Sequence, residues 1–239
     1  MSEFYRKVVV IGAGTMGSGI AAHLANSKIF TVLLDLPSQE GDKNLIANNA
    51  ITNIKKSDPP LLVEKNCLKY IQAGNLDEDF HHVGDADWII EAVVERIDIK
   101  HTLYKKIEDT RNSQSIVSSN TSTIPLAILT EQMSEEMKND FCITHFFNPV
   151  RFMRLLEIVE TPNLNQEKIK ILKDFCENQL GKGIVNCKDT PGFIGNRVGV
   201  YAMQVAMYEA LERKIPVEIA DALFGRPMGI PKTGVFGLY

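Results

Sequence analysis

The chain opens on a β-branched run, Val8 to Ile11, that stops at Gly12; Ile20 to Ala25 then supplies a helix-forming run and Phe30 to Leu34 a second apolar run. This order predicts strand, glycine turn, helix, strand. Apolar runs recur at Trp88 to Val94, Ile116 to Val117, Phe141 to Phe147, Leu155 to Val159 and Gly183 to Val185, each short enough for a strand buried on both faces. Charged, helix-like segments such as Ile97 to Glu108 and Gln166 to Gln179 separate several of them. Strands alternating with helices predict an α/β protein with a mostly parallel sheet covered on both faces.

Two regions break the rhythm. Residues 37–85 are too long for a simple crossover and show helical patterning on both sides of Pro59-Pro60, which predicts an inserted helical pair. The second break comes at Asp189. Thr190 can cap a helix that starts at Pro191 and runs to about Arg213, with Ile194, Val198, Tyr201, Val205 and Tyr208 forming an apolar stripe. One further helical segment, Val217 to Phe224, precedes Gly229-Ile230-Pro231 and the apolar run Val235-Phe236-Gly237-Leu238-Tyr239. The expected organisation is therefore an α/β domain over 1–188 and a partial, all-helical second domain over 189–239. The apolar surface of that second domain is expected to be covered by another copy or another chain.

Chemistry enters at the first turn. Gly12-Ala13-Gly14-Thr15-Met16-Gly17 has the spacing GxGxxG, which allows a tight turn, close approach of the backbone to a pyrophosphate, and close packing of helix on strand. Alone the pattern is weak, but here it follows a strand, opens a helix whose N-terminus suits an anion, and is followed by Asp35 at the end of the next strand. The fold expected is of Rossmann type. A carboxylate at position 35 would accept from the adenosine ribose hydroxyls and repel an extra phosphate, which selects NAD over NADP as cofactor.

A second constellation lies further on. Phe141 to Pro149 reads as a strand running into a Pro-terminated loop, with His145 near the strand's carboxyl end, where ligands of open α/β sheets gather. Glu157 stands inside Leu155-Leu156-Glu157-Ile158-Val159, where a strand would bury it on either face, and a buried carboxylate is costly unless paired. His145 is the partner that makes chemical sense: a carboxylate on one ring nitrogen fixes the tautomer and leaves the other nitrogen to act as a general base. An ion pair of Glu157 with Arg151 or Arg154 is the structural alternative.

Composition narrows the field. A net charge of −4 over 239 residues offers no basic field for nucleic acid. The cysteines, Cys67, Cys142, Cys176 and Cys187, form no CxxC pair, so neither a disulfide framework nor a zinc site is indicated, and a reducing cytoplasm is expected. The adjacent His81 and His82 should diverge and bind no metal. Arg6-Lys7 before Val8 to Ala25 superficially matches a secretory signal, but Gly12, Gly14, Gly17, Gly19, Thr15, Ser18 and His23 interrupt the stretch. No uncharged run is long enough for a membrane span.

Taken in order, Gly12 to Gly17, Ser119-Asn120-Thr121-Ser122, His145-Phe146-Phe147-Asn148-Pro149, Glu157 and Lys188-Asp189-Thr190-Pro191-Gly192-Phe193 resemble the 3-hydroxyacyl-CoA dehydrogenases along the whole chain. The resemblance implies a two-domain enzyme of fatty-acid β-oxidation that oxidises L-3-hydroxyacyl-CoA to 3-ketoacyl-CoA with NAD. It matches His145 to the base and Glu157 to the carboxylate that orients it. It matches Ser122 and Asn196 to groups that hydrogen-bond the reacting oxygen, and Glu95 and Lys100 to cofactor-contacting positions. Plainer roles exist for each: a helix cap for Ser122, a solvated first turn for Asn196, a solvated helix start for Glu95 and Lys100. The inserted pair is implied to help hold the CoA moiety, with Lys55 and Lys56 placed to meet its phosphates or simply solvated. Family members carry further helices that form much of a two-fold dimer interface, which implies a homodimer or a fusion partner through the helical domain. Two other readings stay open: a related hydroxyacid or polyol dehydrogenase, and a non-catalytic NAD- or acyl-CoA-binding part of a multifunctional protein.

Overall fold

The computed structural model describes residues 5–229 and 233–238. Ile230, Pro231 and Tyr239 of the terminal segment lie outside them. The chain divides into two compact units, Met1–Thr190 and Pro191–Tyr239.

The first unit is built on one sheet. Its strands are β1 (Lys7–Ile11), β2 (Phe30–Asp35), β3 (Ile71–Asn75), β4 (Trp88–Glu91), β5 (Ile116–Ser119), β6 (Phe141–Phe146), β7 (Leu155–Glu160) and β8 (Gly183–Cys187). They lie in the order β3-β2-β1-β4-β5-β6-β7-β8. All neighbours pair in parallel except β6 and β7, which are antiparallel. The helices of this unit are α1 (Thr15–Asn26), α2 (Leu45–Lys56), α3 (Ile97–Thr110), α4 (Leu126–Leu129), α5 (Glu135–Lys138) and α6 (Gln166–Asn178). The continuous apolar runs are the central strands: Val8 to Ile11, Val32 to Leu34 and Trp88 to Ile90 are completely buried, as a sheet covered on both faces requires. The chain order reverses between β1 and β4, so a crevice opens at the carboxyl ends of these two strands.

The segment read as an inserted helical pair is different. Its first half is α2, but its second half is a 3-10 turn at Lys65–Tyr70, the strand β3 and another 3-10 turn at Phe80–Asp85. β3 reads Ile-Gln-Ala-Gly-Asn, too polar and too short to register as an apolar run, and it survives as an edge strand through its backbone pairing with β2. His81 and His82 do not diverge either; within the 3-10 turn their rings lie 4.3 Å apart. No helix among the described residues is long and apolar enough to cross a membrane.

The second unit contains α7 (Gly195–Glu212), α8 (Val217–Leu223) and α9 (Gly234–Leu238). α7 starts four residues later than the expected Pro191, because Gly192 and Phe193 adopt positive φ of 73° and 44° and form a turn instead of a first helical turn. Thr190 is accordingly not its N-cap. Asp189 instead caps α4, accepting from the amides of Leu126 and Ala127 at 2.8 and 3.2 Å. The terminal apolar run docks within its own unit: Val235 is fully buried and the Phe236 amide donates to Asp221 Oδ1 at 2.8 Å. The stripe along α7 is exposed, with Val198 at 63%, Tyr201 at 70% and Tyr208 at 62%.

Candidate active site

At the carboxyl ends of the strands the first unit has a cleft of about 380 Å³. It is lined by Met16 from the first turn of α1, Ala92 to Glu95 after β4 with Lys100 from α3, Asn120 to Ser122 after β5, and His145 to Asn148 at the end of β6. Four separate strand ends thus converge on one hollow, and the segments that follow β4, β5 and β6 supply its polar groups.

The glycine turn accounts for one wall. Gly12 sits at φ 106° and its amide donates to Leu34 O at 2.7 Å. A Cβ on Gly12 would stand 2.4 Å from Ala92 O, and one on Gly17 only 1.7 Å from Gly12 O. A Cβ on Gly14 would meet nothing within 4 Å, so this position, the N-cap of α1, is open, and no side chain caps the helix. Open space above an uncapped helix N-terminus is what a pyrophosphate needs. At the end of β2, Asp35 accepts from the Ala13 amide at 2.5 Å and from the Leu36 amide at 2.6 Å, which holds its carboxylate against the glycine turn. The residues present therefore fit NAD.

Beneath the cleft lies a buried polar knot. Glu91, fully buried at the end of β4, accepts from Lys100 Nζ, Tyr104 Oη and Ser119 Oγ, each at 2.6 Å, and from the Val93 amide at 2.8 Å. Lys100 is itself 1% exposed, so it is not the solvated lysine of an ordinary helix start. Burial and the adjacent Glu91 carboxylate push the Tyr104 phenol up, and it stays a donor. Glu95 lies 3.7 Å from Lys100 Nζ and accepts from Thr121 Oγ1 and the Ser122 amide at 2.9 and 3.1 Å. The Ser122 loop is thereby tied to the loop after β4. Asn120 Oδ1 accepts from the Phe146 amide at 3.0 Å and ties the same loop to β6.

The third wall carries the histidine. The antiparallel register of β6 and β7 sets His145 directly opposite Glu157, and His145 Nδ1 meets Glu157 Oε2 at 2.8 Å with Glu157 fully buried and His145 6% exposed. A carboxylate at Nδ1 favours the tautomer that carries its proton on that nitrogen. The Phe147 ring packs on the imidazole at 4.4 Å between centroids.

His145, Glu157, Ser122, Glu95, Lys100 and the glycines with Asp35 thus fall around one crevice of the first unit. Lys55 and Lys56 are exposed in the last turn of α2, outside the cleft lining. Asn196 belongs to the second unit, in the first turn of α7. Glu91, Asn120 and Asn148 were not anticipated. For Glu91 the signal was present: it is a carboxylate inside the run Ile89-Ile90-Glu91-Ala92-Val93, the same anomaly that singles out Glu157.

A glycine turn at a helix N-terminus, an acidic residue closing the second strand and a carboxylate-bound histidine at the end of β6 place the first unit in the class of Rossmann-type dinucleotide-binding domains. Residues 7–190 match the family described as 3-hydroxyacyl-CoA dehydrogenase, NAD binding domain, and the chain belongs to that family. It is 43% identical over 240 residues to a putative fatty acid oxidation complex trifunctional enzyme of Rickettsia felis, covering 100% of this chain and 33% of that protein. To a probable 3-hydroxyacyl-CoA dehydrogenase of Deinococcus radiodurans it is 37% identical, over 97% of this chain and 67% of that one. The solved 3-hydroxybutyryl-CoA dehydrogenase of Escherichia coli is similar with a TM-score of 0.73 and 29% identity, over 90% of this chain and 44% of that one. The chain thus spans about a third of the length of the Rickettsia relative.

Proposed function

We propose that this chain carries the NAD-dependent interconversion of L-3-hydroxyacyl-CoA and 3-ketoacyl-CoA, a step of fatty-acid β-oxidation. The observation that carries the reading is the His145–Glu157 contact of 2.8 Å in a cleft shared with the dinucleotide turn. NAD, when bound, accepts the hydride from the carbon that bears the hydroxyl. His145 takes the hydroxyl proton at Nε2 as that hydride leaves, and Glu157 holds the imidazolium that results. In the reverse direction the imidazolium returns the proton to the reduced oxygen. Ser122 lines the same cleft and is proposed to hydrogen-bond the reacting oxygen, a task the resemblance also gives Asn196. Glu95 and Lys100 are proposed to contact the cofactor, and Lys55 and Lys56 to meet the CoA phosphates. The exposed stripe on α7 is proposed to be covered by a second copy or by another part of a longer polypeptide, in a reducing, cytoplasmic setting.

The test is NADH oxidation by acetoacetyl-CoA with the wild-type chain and His145→Ala. Turnover that falls by about 10² to 10⁴ in the variant, with NADH binding intact, is expected. NADH binding without turnover by the wild type would instead favour a non-catalytic binding role. Turnover of a free hydroxyacid in preference to the CoA thioester would move the substrate class.

A further inference from the structure

The hairpin that carries the dyad closes through residues 149–153, where the amides of Phe152 and Met153 both donate to Pro149 O at 3.0 Å. This turn begins three residues after β6 ends and is gripped from two sides. Lys182, one residue before β8 and 4% exposed, reaches Val150 O at 2.5 Å and Met153 O at 2.9 Å. Arg151 reaches the opposite way, donating from Nη1 to Pro60 O at 2.5 Å and Leu62 O at 3.0 Å in the segment after α2. Between them Val150 is fully buried against α1, where a Cβ on Gly19 would stand 3.0 Å from its Cγ2.

Lys182 forms none of the ion pairs found among the described residues, and its ammonium lies 5.6 Å from the Phe146 ring centroid. A buried cation without a counter-charge is costly, and a sheet-end lysine could reach solvent instead. Burial pulls it down to about 8, against a smaller opposing effect of Cys176; His23, which Lys182 and Arg151 both push down, is the other titratable group near it. Two carbonyls need two N–H groups, and an amine has them as well as an ammonium does. The clamp therefore survives loss of the proton.

We propose that Lys182 and Arg151 are positioning residues for the dyad: Lys182 clamps and Arg151 tethers the 149–153 turn, so that the closed end of the hairpin presents His145 and Glu157 in reacting geometry. The clamp stands on the hairpin geometry alone; only its kinetic consequence rests on the proposed dehydrogenase reading.

The experiment uses the full chain, labelled with ¹⁵N, without cofactor. A histidine N–H held by a carboxylate exchanges slowly and resonates at low field, and the His145 signal is assigned by its loss in His145→Gln. It is expected in the wild type and in Lys182→Arg, and lost or broadened in Lys182→Met. In Arg151→Met, on the more exposed side, it is weakened. NADH affinity should stay within about twofold in all three, because the hydrogen bonds of Lys182 and Arg151 go to the 149–153 turn and to the segment after α2, not to Asp35 or the glycine turn. For acetoacetyl-CoA reduction, kcat should fall by of the order of 10² in Lys182→Met and recover most of that in Lys182→Arg. An unaltered His145 resonance and kcat in Lys182→Met, with only a lower melting temperature, would overturn the proposal. Should that variant fail to fold, an unaltered resonance in Arg151→Met overturns it instead. A wild type that shows the resonance, loses it in Lys182→Met and yet reduces no acetoacetyl-CoA would sink the dehydrogenase reading and leave the clamp standing.

Discussion

Replacing Glu157 by glutamine removes one charge from a fully buried site and changes almost nothing in shape. The charge sits 2.8 Å from the imidazole nitrogen it serves. Two unit charges about 4 Å apart inside a protein are worth about 4 kcal/mol at an effective dielectric constant of ~20. Glutamine can still accept from Nδ1–H through its amide oxygen, a neutral bond worth about 1 kcal/mol. The difference, about 3 kcal/mol, corresponds to between 10² and 10³ in rate. That loss should fall on both directions, since the imidazolium is formed in alcohol oxidation and consumed in ketone reduction. The two directions should also show opposite pH dependences governed by this one group. The assay is steady-state turnover of 3-hydroxybutyryl-CoA with NAD and of acetoacetyl-CoA with NADH, alongside NADH binding by fluorescence. Binding should be unchanged. If Glu157→Gln kept more than about a tenth of wild-type kcat in either direction, the carboxylate would not be serving the base, and the 10² to 10⁴ assigned to base catalysis would need another source.

Two other perturbations probe separate parts of the molecule. Asp35→Ala removes the acceptor at the end of β2 and should weaken NADH binding about tenfold or more while narrowing the preference over NADPH; unchanged NADH affinity in a titration would remove Asp35 from the ribose site. His23 on α1 donates from Nε2 to Leu180 O, and burial, with the nearby Lys182, lowers it to about 4. Because its folded value lies below its ordinary one of about 6.5, the unfolded chain takes up the proton first as pH falls, and stability is lost between those two values. The loss should be about 2 kcal/mol between about pH 7 and about pH 5, and His23→Gln should abolish that share; identical urea midpoints' pH dependence in variant and wild type would contradict it.

What the sequence made legible depended on whether a residue broke its local pattern. Gly12 to Gly17 interrupts a strand-to-helix passage and lies at the N-terminus of α1, and Glu157 interrupts an apolar run and lies opposite His145. Glu91 broke its run in the same way and went unread because no second residue in the sequence named its partners; Lys100, Tyr104 and Ser119 converge on it only once α3 and β5 are placed. β3 escaped because an edge strand is held by backbone pairing and needs no apolar stripe. The start of α7 was displaced because Phe193 takes a positive φ that a propensity argument does not foresee. Lys182 looks in sequence like any lysine after a glycine turn, and only its depth in the fold separates it from a solvated one.

The antiparallel pairing of β6 with β7 has a consequence for how the chain recognises its own correct structure. In β7 the residues Leu156, Glu157, Ile158 and Val159 are all buried, so hydrophobicity alone distinguishes poorly between this alignment and one shifted by a single residue. A shift would set Leu156 or Ile158 opposite His145 and turn the carboxylate to the other face of the sheet. There it would be a buried charge without its imidazole, at a cost of several kcal/mol. The pair proposed as base and orienter is therefore also the key that tells aligned strands from slipped ones. A mutation that neutralises both members should remove that discrimination along with the activity.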